Sequence, residues 1–508
     1  MARIPRSIPA RAGLALLMAV SAAVDARAQA PGDEFELRPT LGQPAQRGMR
    51  TAQQQPAYAS PPGSGAGDTG FMSTNVSAKG ARTPAAKRAK QPAASTPPLN
   101  NLASRVRQSI DRDDVTGSVR PRAVPRAPEE EPYAPVGVRA GSFTLRPSLE
   151  VFGGYDDNPF RANSGKMPST FMKTEAKVEA ESNWSRHSLS GELRGAYTDY
   201  FEVPGNDRPE AEAKLRGRID VTSVSRIELE GRAALTTDAA GSPDAITSAK
   251  RPPNVYTLEG SAGYVHRFNR VELGLRGMVE RSTHQDAELL SGATLDLSDR
   301  DYTSYGGALR GSYENTPDVK PFAEVAVDRR IYDHETDFTG VRRGSDGMRV
   351  RAGVEFARER RLSGEMSAGY AWRRYDDPAL EDISGLIADA SLVWRATGLT
   401  TVTFKANSEI GETTLTGASG VFHRQASVTV DHAFRRWLIG TLGASIGNDD
   451  YVGTSRRDDR LGLLAGLTYY FSRYIALKGE FRHERLSSTV PGDDYTANIV
   501  MLGLRLQR

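Results

Sequence analysis

The sequence predicts an all-β fold: an antiparallel transmembrane β-barrel of about 18 strands (16–18), behind a disordered N-terminal segment. Three observations carry this. The first is alternation. In Thr170–Trp184, Met172, Ala176, Val178, Ala180 and Trp184 share one parity, while Lys173, Glu175, Lys177, Glu179 and Glu181 share the other. Successive side chains of a strand point to opposite faces, so this stretch has one apolar and one charged face. The second is repetition, because the pattern recurs about every 20 residues to the C-terminus, as hairpins of membrane-spanning strands require. The third is that connectors alternate short and long, the arrangement of tight periplasmic turns and longer outer loops.

Composition sets the bounds. The 508 residues carry a net charge of +3, too small to point to nucleic acid, and no cysteine, which excludes thiolate metal sites, disulfides and cysteine nucleophiles. Beyond the N-terminus no apolar run approaches the roughly 18 residues of a membrane helix. A barrel tolerates this, since only alternate residues meet lipid.

Residues 1–28 read as a secretory signal: Arg3, Arg6 and Arg11, an apolar core from Gly13 to Val24, then Ala26-Arg27-Ala28 with cleavage after Ala28. Residues 29–141 form a periplasmic arm rich in Pro, Ala and Arg. Its composition buries too little apolar area to offset chain entropy, so disorder is expected. Lys79, Arg82, Lys87, Arg88 and Lys90 make its middle basic, which suits a solvated spacer or contact with anionic headgroups, peptidoglycan or a periplasmic partner. Leu99, Leu102, Val106 and Ile110 have helical spacing, so Leu99–Asp113 is expected as a short amphipathic helix.

The barrel is expected over 142–508. Its strands begin with Phe143–Tyr155 and Thr170–Trp184, and later ones start near Val255, Val271, Tyr302, Val319, Gly347, Leu362, Gly385, Leu399, Val421, Leu438, Arg460, Tyr474 and Asp494. Lys173, Glu175, Lys177, Glu179, Glu181, Arg216 and Arg218 are the lumen-facing candidates. Their mixed signs suggest a hydrated, salt-bridged wall. Short turns repeat an aromatic, a polar residue and Arg, as in Trp184-Ser185-Arg186 and Phe471-Ser472-Arg473. Trp184, Phe268, Phe434, Trp437, Phe471 and Tyr474 are therefore the expected interfacial aromatics. Long loops, such as Asp449–Asp459, carry Asp-Asp pairs; strand exit explains these better than cation binding.

No catalytic, cofactor-binding or metal-ligating residue is assigned, and no cofactor is expected. His284 with Ser282, Asp286 and Glu288, and His334 with Asp333, Glu335 and Asp337, are the nearest approaches to a catalytic set. Both match ordinary loop composition, and triads are defined by geometry.

The stretch from Leu145-Arg146-Pro147-Ser148-Leu149 to Tyr155-Asp156-Asp157-Asn158-Pro159, the hairpin rhythm and the ending Leu502-Gly503-Leu504-Arg505-Leu506-Gln507-Arg508 resemble the outer-membrane porin family labelled beta-barrel porin 2. The resemblance covers about residues 142–508. It implies an outer-membrane protein of the Gram-negative envelope, in some members associated with exopolysaccharide production. A terminal aromatic is absent, so the barrel assembly machinery would read the alternation of Val500, Leu502, Leu504 and Leu506.

The expected function is a porin-like, non-enzymatic channel for hydrophilic solutes or polysaccharide. Its surroundings would be outer-membrane lipids and lipopolysaccharide, and a homo-oligomer is compatible with the fold. The alternatives are a plugged structural barrel binding partners through its loops or arm, and a rim-site lipase or deacylase.

Overall fold

In the computed structural model, the described residues are 133–508, except 204, 239, 247, 317 and 358–360, together with Ala78–Lys79 and Ile110–Asp111. The signal segment and almost all of the arm lie outside them. Of the helix expected over Leu99–Asp113, only Ile110–Asp111 is described. Those two residues are a strand paired in parallel with Ala78–Lys79, an extended backbone that suits β-branched Ile110.

Eighteen strands follow the period-2 segments. They are β1 (Phe143–Asp156), β2 (Ser169–Ser182), β3 (Ser188–Tyr200), β4 (Arg208–Asp220), β5 (Ser225–Thr237) and β6 (Asn254–Phe268). Next come β7 (Val271–His284), β8 (Tyr302–Tyr313), β9 (Val319–Tyr332), β10 (Ser345–Ala357), β11 (Leu362–Tyr375) and β12 (Ile383–Arg395). The last six are β13 (Thr400–Gly411), β14 (Gly420–Arg435), β15 (Leu438–Val452), β16 (Arg457–Tyr470), β17 (Ile475–Ser488) and β18 (Tyr495–Gln507). Each pairs antiparallel with its sequence neighbours, and β18 pairs with β1, as at Leu504↔Val151, to close the barrel. Closure is what lipid demands, because it cannot satisfy a free sheet edge.

The β18 ladder ends at Ser148, leaving the first residues of β1 uncovered. Val138–Ala140 folds back and pairs with Phe143–Leu145 on that overhang, so no bare edge is left there. The reversal passes through Gly141 at φ 59°, a conformation that costs glycine little.

Connectors at the end holding both termini of the barrel are two to five residues long, from 269–270 to 314–318. Those at the opposite end reach 285–301, and long loops face outward in barrels of this kind. One expectation changes here. The long loop expected over Asp449–Asp459 is only 453–456, because β15 and β16 stay paired through Asp449↔Asp458 and Asp450↔Arg457. The Asp-Asp pair belongs to strand ends, and Gly453 at φ 92° makes the turn.

Apolar side chains of one parity face outward all round, including Leu258, Leu275, Leu309, Leu386 and Leu442. Ile446, near the middle of β15, is 62% exposed on this face. Ile446→Arg is expected to destabilise the folded barrel in lipid by about 2–4 kcal/mol, the cost of a cation at the membrane midplane. The shift in unfolding midpoint in reconstituted vesicles measures it, and an unchanged midpoint would contradict the assignment of this face to lipid.

Candidate functional site

The inner face is built from the charged parity of the strands. On β2, Lys173, Glu175, Lys177 and Glu179 are buried on the side opposite exposed Met172. Arg194 on β3 joins Glu175 at 3.2 Å and Glu210 on β4 at 2.8 Å. Glu181 lies near the short-turn end, part-buried and paired with Arg146 at 3.1 Å. Arg216 faces Glu230 at 3.6 Å, and Arg218 pairs with Asp220 at 2.7 Å.

Two arcs of this wall differ. Along β4 and β5 the charges keep contact with solvent: the side chains of Lys214 and Arg232 are 38% and 40% exposed. Arg232 bridges Glu212 at 2.8 Å and Glu259 at 2.5 Å. From β8 to β13 the pairs reach over intervening strands and bury one another. Arg310 on β8 meets Glu365 on β11 at 2.7 Å, and Arg351 on β10 meets Glu324 at 2.8 Å and Asp389 on β12 at 3.1 Å. Arg330 on β9 pairs with Glu412 just past β13 and is fully buried. A buried charge is tolerated only when paired, so this arc is close-packed polar material, while the β4–β5 arc borders water.

The aromatics singled out from the turns occupy the short-turn end. Trp184, Phe268, Phe434, Trp437, Phe471 and Tyr474 are all exposed. Trp184 packs edge-on against Phe143 with ring centroids 5.5 Å apart, and its Nε1 donates to Ser142 Oγ at 3.0 Å. Trp437 and Phe471 each lie about 5 Å from Tyr469. At the same end, the Tyr133 ring stacks on inward-facing Tyr470 at 5.1 Å, and Gln507 Nε2 donates to its carbonyl at 2.8 Å. Tyr133 therefore lies against the inner wall of this mouth.

The opposite mouth is crossed by the segment 238–253, which links β5 to β6. Asp244 Oδ1 accepts hydrogen bonds from Thr413 Oγ1 at 2.9 Å, Thr414 N at 2.6 Å and Thr414 Oγ1 at 2.8 Å. Those threonines follow β13, nearly opposite in a ring of eighteen strands, so the segment spans the opening. Gly241 lies so close to Arg161 and Tyr495 that a Cβ there would press on both, which fixes the segment to the β1–β18 side as well. Farther along, Lys250 N donates to Glu288 O at 2.7 Å and Leu290 N to Ser248 O at 2.8 Å. Arg343 ties 333–344 to the far side by donating to Thr413 O at 2.8 Å.

Against this crossing lies a cleft open to solvent, lined by Asp238, Asp244, Arg300, Tyr332, Phe338 and Arg343 among others. Burial pushes the Asp238 carboxyl up to about 6, against the pull of Arg300 and His284.

The histidine sets do not assemble as triads. His284 Nδ1 lies 3.0 Å from Asp301, not from Asp286 or Glu288, while Glu288 pairs with Lys250 and Ser282 Oγ has no hydrogen-bond partner. His334 Nε2 meets Ser298 Oγ at 3.1 Å, but its neighbours Asp333 and Asp337 bind Arg281 and Arg343. Among the described residues, no three side chains converge as a metal site. The Asp-Asp pairs are met by protein donors, as with Asp156 on Arg161 and Asp376 on Arg329.

The family described as "Putative beta-barrel porin 2" matches residues 131–508, the whole barrel. The chain belongs to that family. Membership of this porin family places the barrel in the outer membrane. No curated protein matches the chain. Solved structures similar to this porin-family barrel include OccAB4 of Acinetobacter baumannii (TM-score 0.38, 10% identity, 72% of this chain and 98% of that one). They also include a BenF-like porin from Pseudomonas fluorescens Pf-5 (0.39, 9%, 72% and 99%) and OpdL of Pseudomonas aeruginosa (0.36, 14%, 72% and 99%).

Proposed function

We propose that this porin-family barrel is a passive, non-enzymatic channel for small hydrophilic solutes. The supporting observation is the solvent-accessible arc of paired opposite charges on β4 and β5, carried by Glu212, Lys214, Arg216, Glu230 and Arg232. Such a wall hydrates a path without strongly favouring either sign of ion. Lys173, Glu175, Lys177, Glu179, Glu181 and Arg218 extend the same inner face. The segment 238–253 divides the outer mouth, which favours small solutes over a polysaccharide chain.

Proteoliposomes of the full chain should swell in an isotonic arabinose solution. Swelling no faster than empty liposomes would overturn the reading. A second reading, a plugged barrel that engages partners, draws on the same crossing segment and on Tyr133 at the other mouth. It predicts no swelling.

A further inference from the structure

The cleft against 238–253 contains a carboxylate that the fold leaves without a donor. Asp238 is 5% exposed, and its Oδ2 has no hydrogen-bond partner. An unpaired buried acceptor costs free energy, and native folds leave few of them. The other carboxylates around the cleft are engaged. Asp244 holds Thr413 and Thr414, Asp337 takes Arg343 at 2.6 Å, Glu412 takes Arg330, and Asp299 accepts Phe338 N at 3.2 Å. Arg300 lines the same cleft with its Nε also unpaired, and its charge pulls on the Asp238 carboxyl without a hydrogen bond to Oδ2.

The surroundings define what would fit. Five carboxylates line the cleft against the guanidiniums of Arg300 and Arg343 alone, which disfavours an anion. No three ligating side chains converge among the described residues, whereas a hard divalent cation takes six or more oxygens. Aromatic side chains also line it: Tyr332, tilted against Tyr302 with centroids 5.4 Å apart, and Phe338, 70% exposed. A carboxylate beside aromatic faces is the environment that holds a cation with an apolar stem.

We propose that this cleft binds an organic cation, an alkylammonium or alkylguanidinium, with its charge on the Asp238 carboxylate and its stem against Phe338. This deepens the channel reading by naming a solute class held at the outer mouth. The same chemistry occurs on a free amine and on a basic side chain of a peptide.

The test is calorimetric titration of the purified full chain in detergent at pH 8, where Asp238 is ionised, with butylguanidinium as probe. Saturable binding is expected, with none for butyrate. Asp238→Asn keeps the side-chain size and removes the charge, and should weaken binding about tenfold or more. Absent binding, or equal binding to Asp238→Asn, would overturn the proposal. If Asp238→Asn loses the heat-modifiable gel mobility of a folded barrel, Arg300→Gln decides. It removes the guanidinium whose charge faces Asp238 across the cleft, so tighter binding is expected, and equal or weaker binding overturns the site. Competition by a blocked Gly-Arg-Gly peptide identifies a side chain as an accepted ligand; its exclusion restricts the site to free solutes. Binding is read without conductance. Lost binding with intact arabinose swelling removes the site alone, and lost swelling with intact binding removes the channel alone.

Discussion

Asp244→Ala is expected to open the outer mouth. The residue makes three hydrogen bonds to Thr413 and Thr414, and it is what joins 238–253 to the far side of the ring. Bonds to a charged group contribute about 1.5–3 kcal/mol each. About 2.8 kcal/mol is a hundredfold in population, so losing all three shifts the segment from almost always seated to often free. Solute flux and single-channel conductance should rise, and step sizes should become heterogeneous. Overall stability should change little, because Asp244 lies outside the strand ladders. The paired substitution Thr413→Val with Thr414→Val removes two of the three donors and should give a weaker form of the same effect. Conductance unchanged in Asp244→Ala would mean that the crossing segment does not limit passage.

The second large effect is on stability. Glu324 is almost fully buried and lies between Arg351 at 2.8 Å and Arg310 at 3.7 Å. Glu324→Ala leaves two buried guanidiniums with only their second partners, Asp389 and Glu365. Removing one member of a buried ion pair typically costs about 3–5 kcal/mol. The expected result is a marked fall in the unfolding midpoint in lipid vesicles. Arg232→Ala on β5 breaks pairs of similar length that are 40% exposed on the Arg side, and water screens such pairs, so its effect should be small. Equal losses for the two variants would contradict the division of the inner wall into a packed arc and a wet one.

The barrel was legible because its signal is local. Side chains alternate with a period of two, and a hairpin needs only neighbouring residues to declare itself. Hence Val271, Tyr302, Val319, Leu362 and Leu438 open strands where the alternation begins. The family match over 131–508 supports the same fold. The mouth was not legible in this way. Asp244 meets Thr413 across 169 residues of chain, and neither sits in a periodic pattern. Asp238 looks like an ordinary strand-exit aspartate in the sequence, and only the loops packed over it make it a buried carboxylate. The His284 and His334 sets show the opposite error of local reading. Neighbours in sequence such as Asp286 and Asp333 turn to other partners, since ion pairing depends on cross-strand and cross-loop distances. The loop expected over Asp449–Asp459 contracted for a related reason. Asp and Asn are strand-breaking on average, but Asp449 is held in the ladder by His423 at 2.7 Å.

Single-channel recording of the purified full chain in planar bilayers tests the central claim most directly. The wet arc on β4 and β5 predicts discrete conductance steps of weak ion selectivity, larger in Asp244→Ala. A silent bilayer for both the wild-type chain and Asp244→Ala, with heat-modifiable mobility showing both folded, would contradict the account.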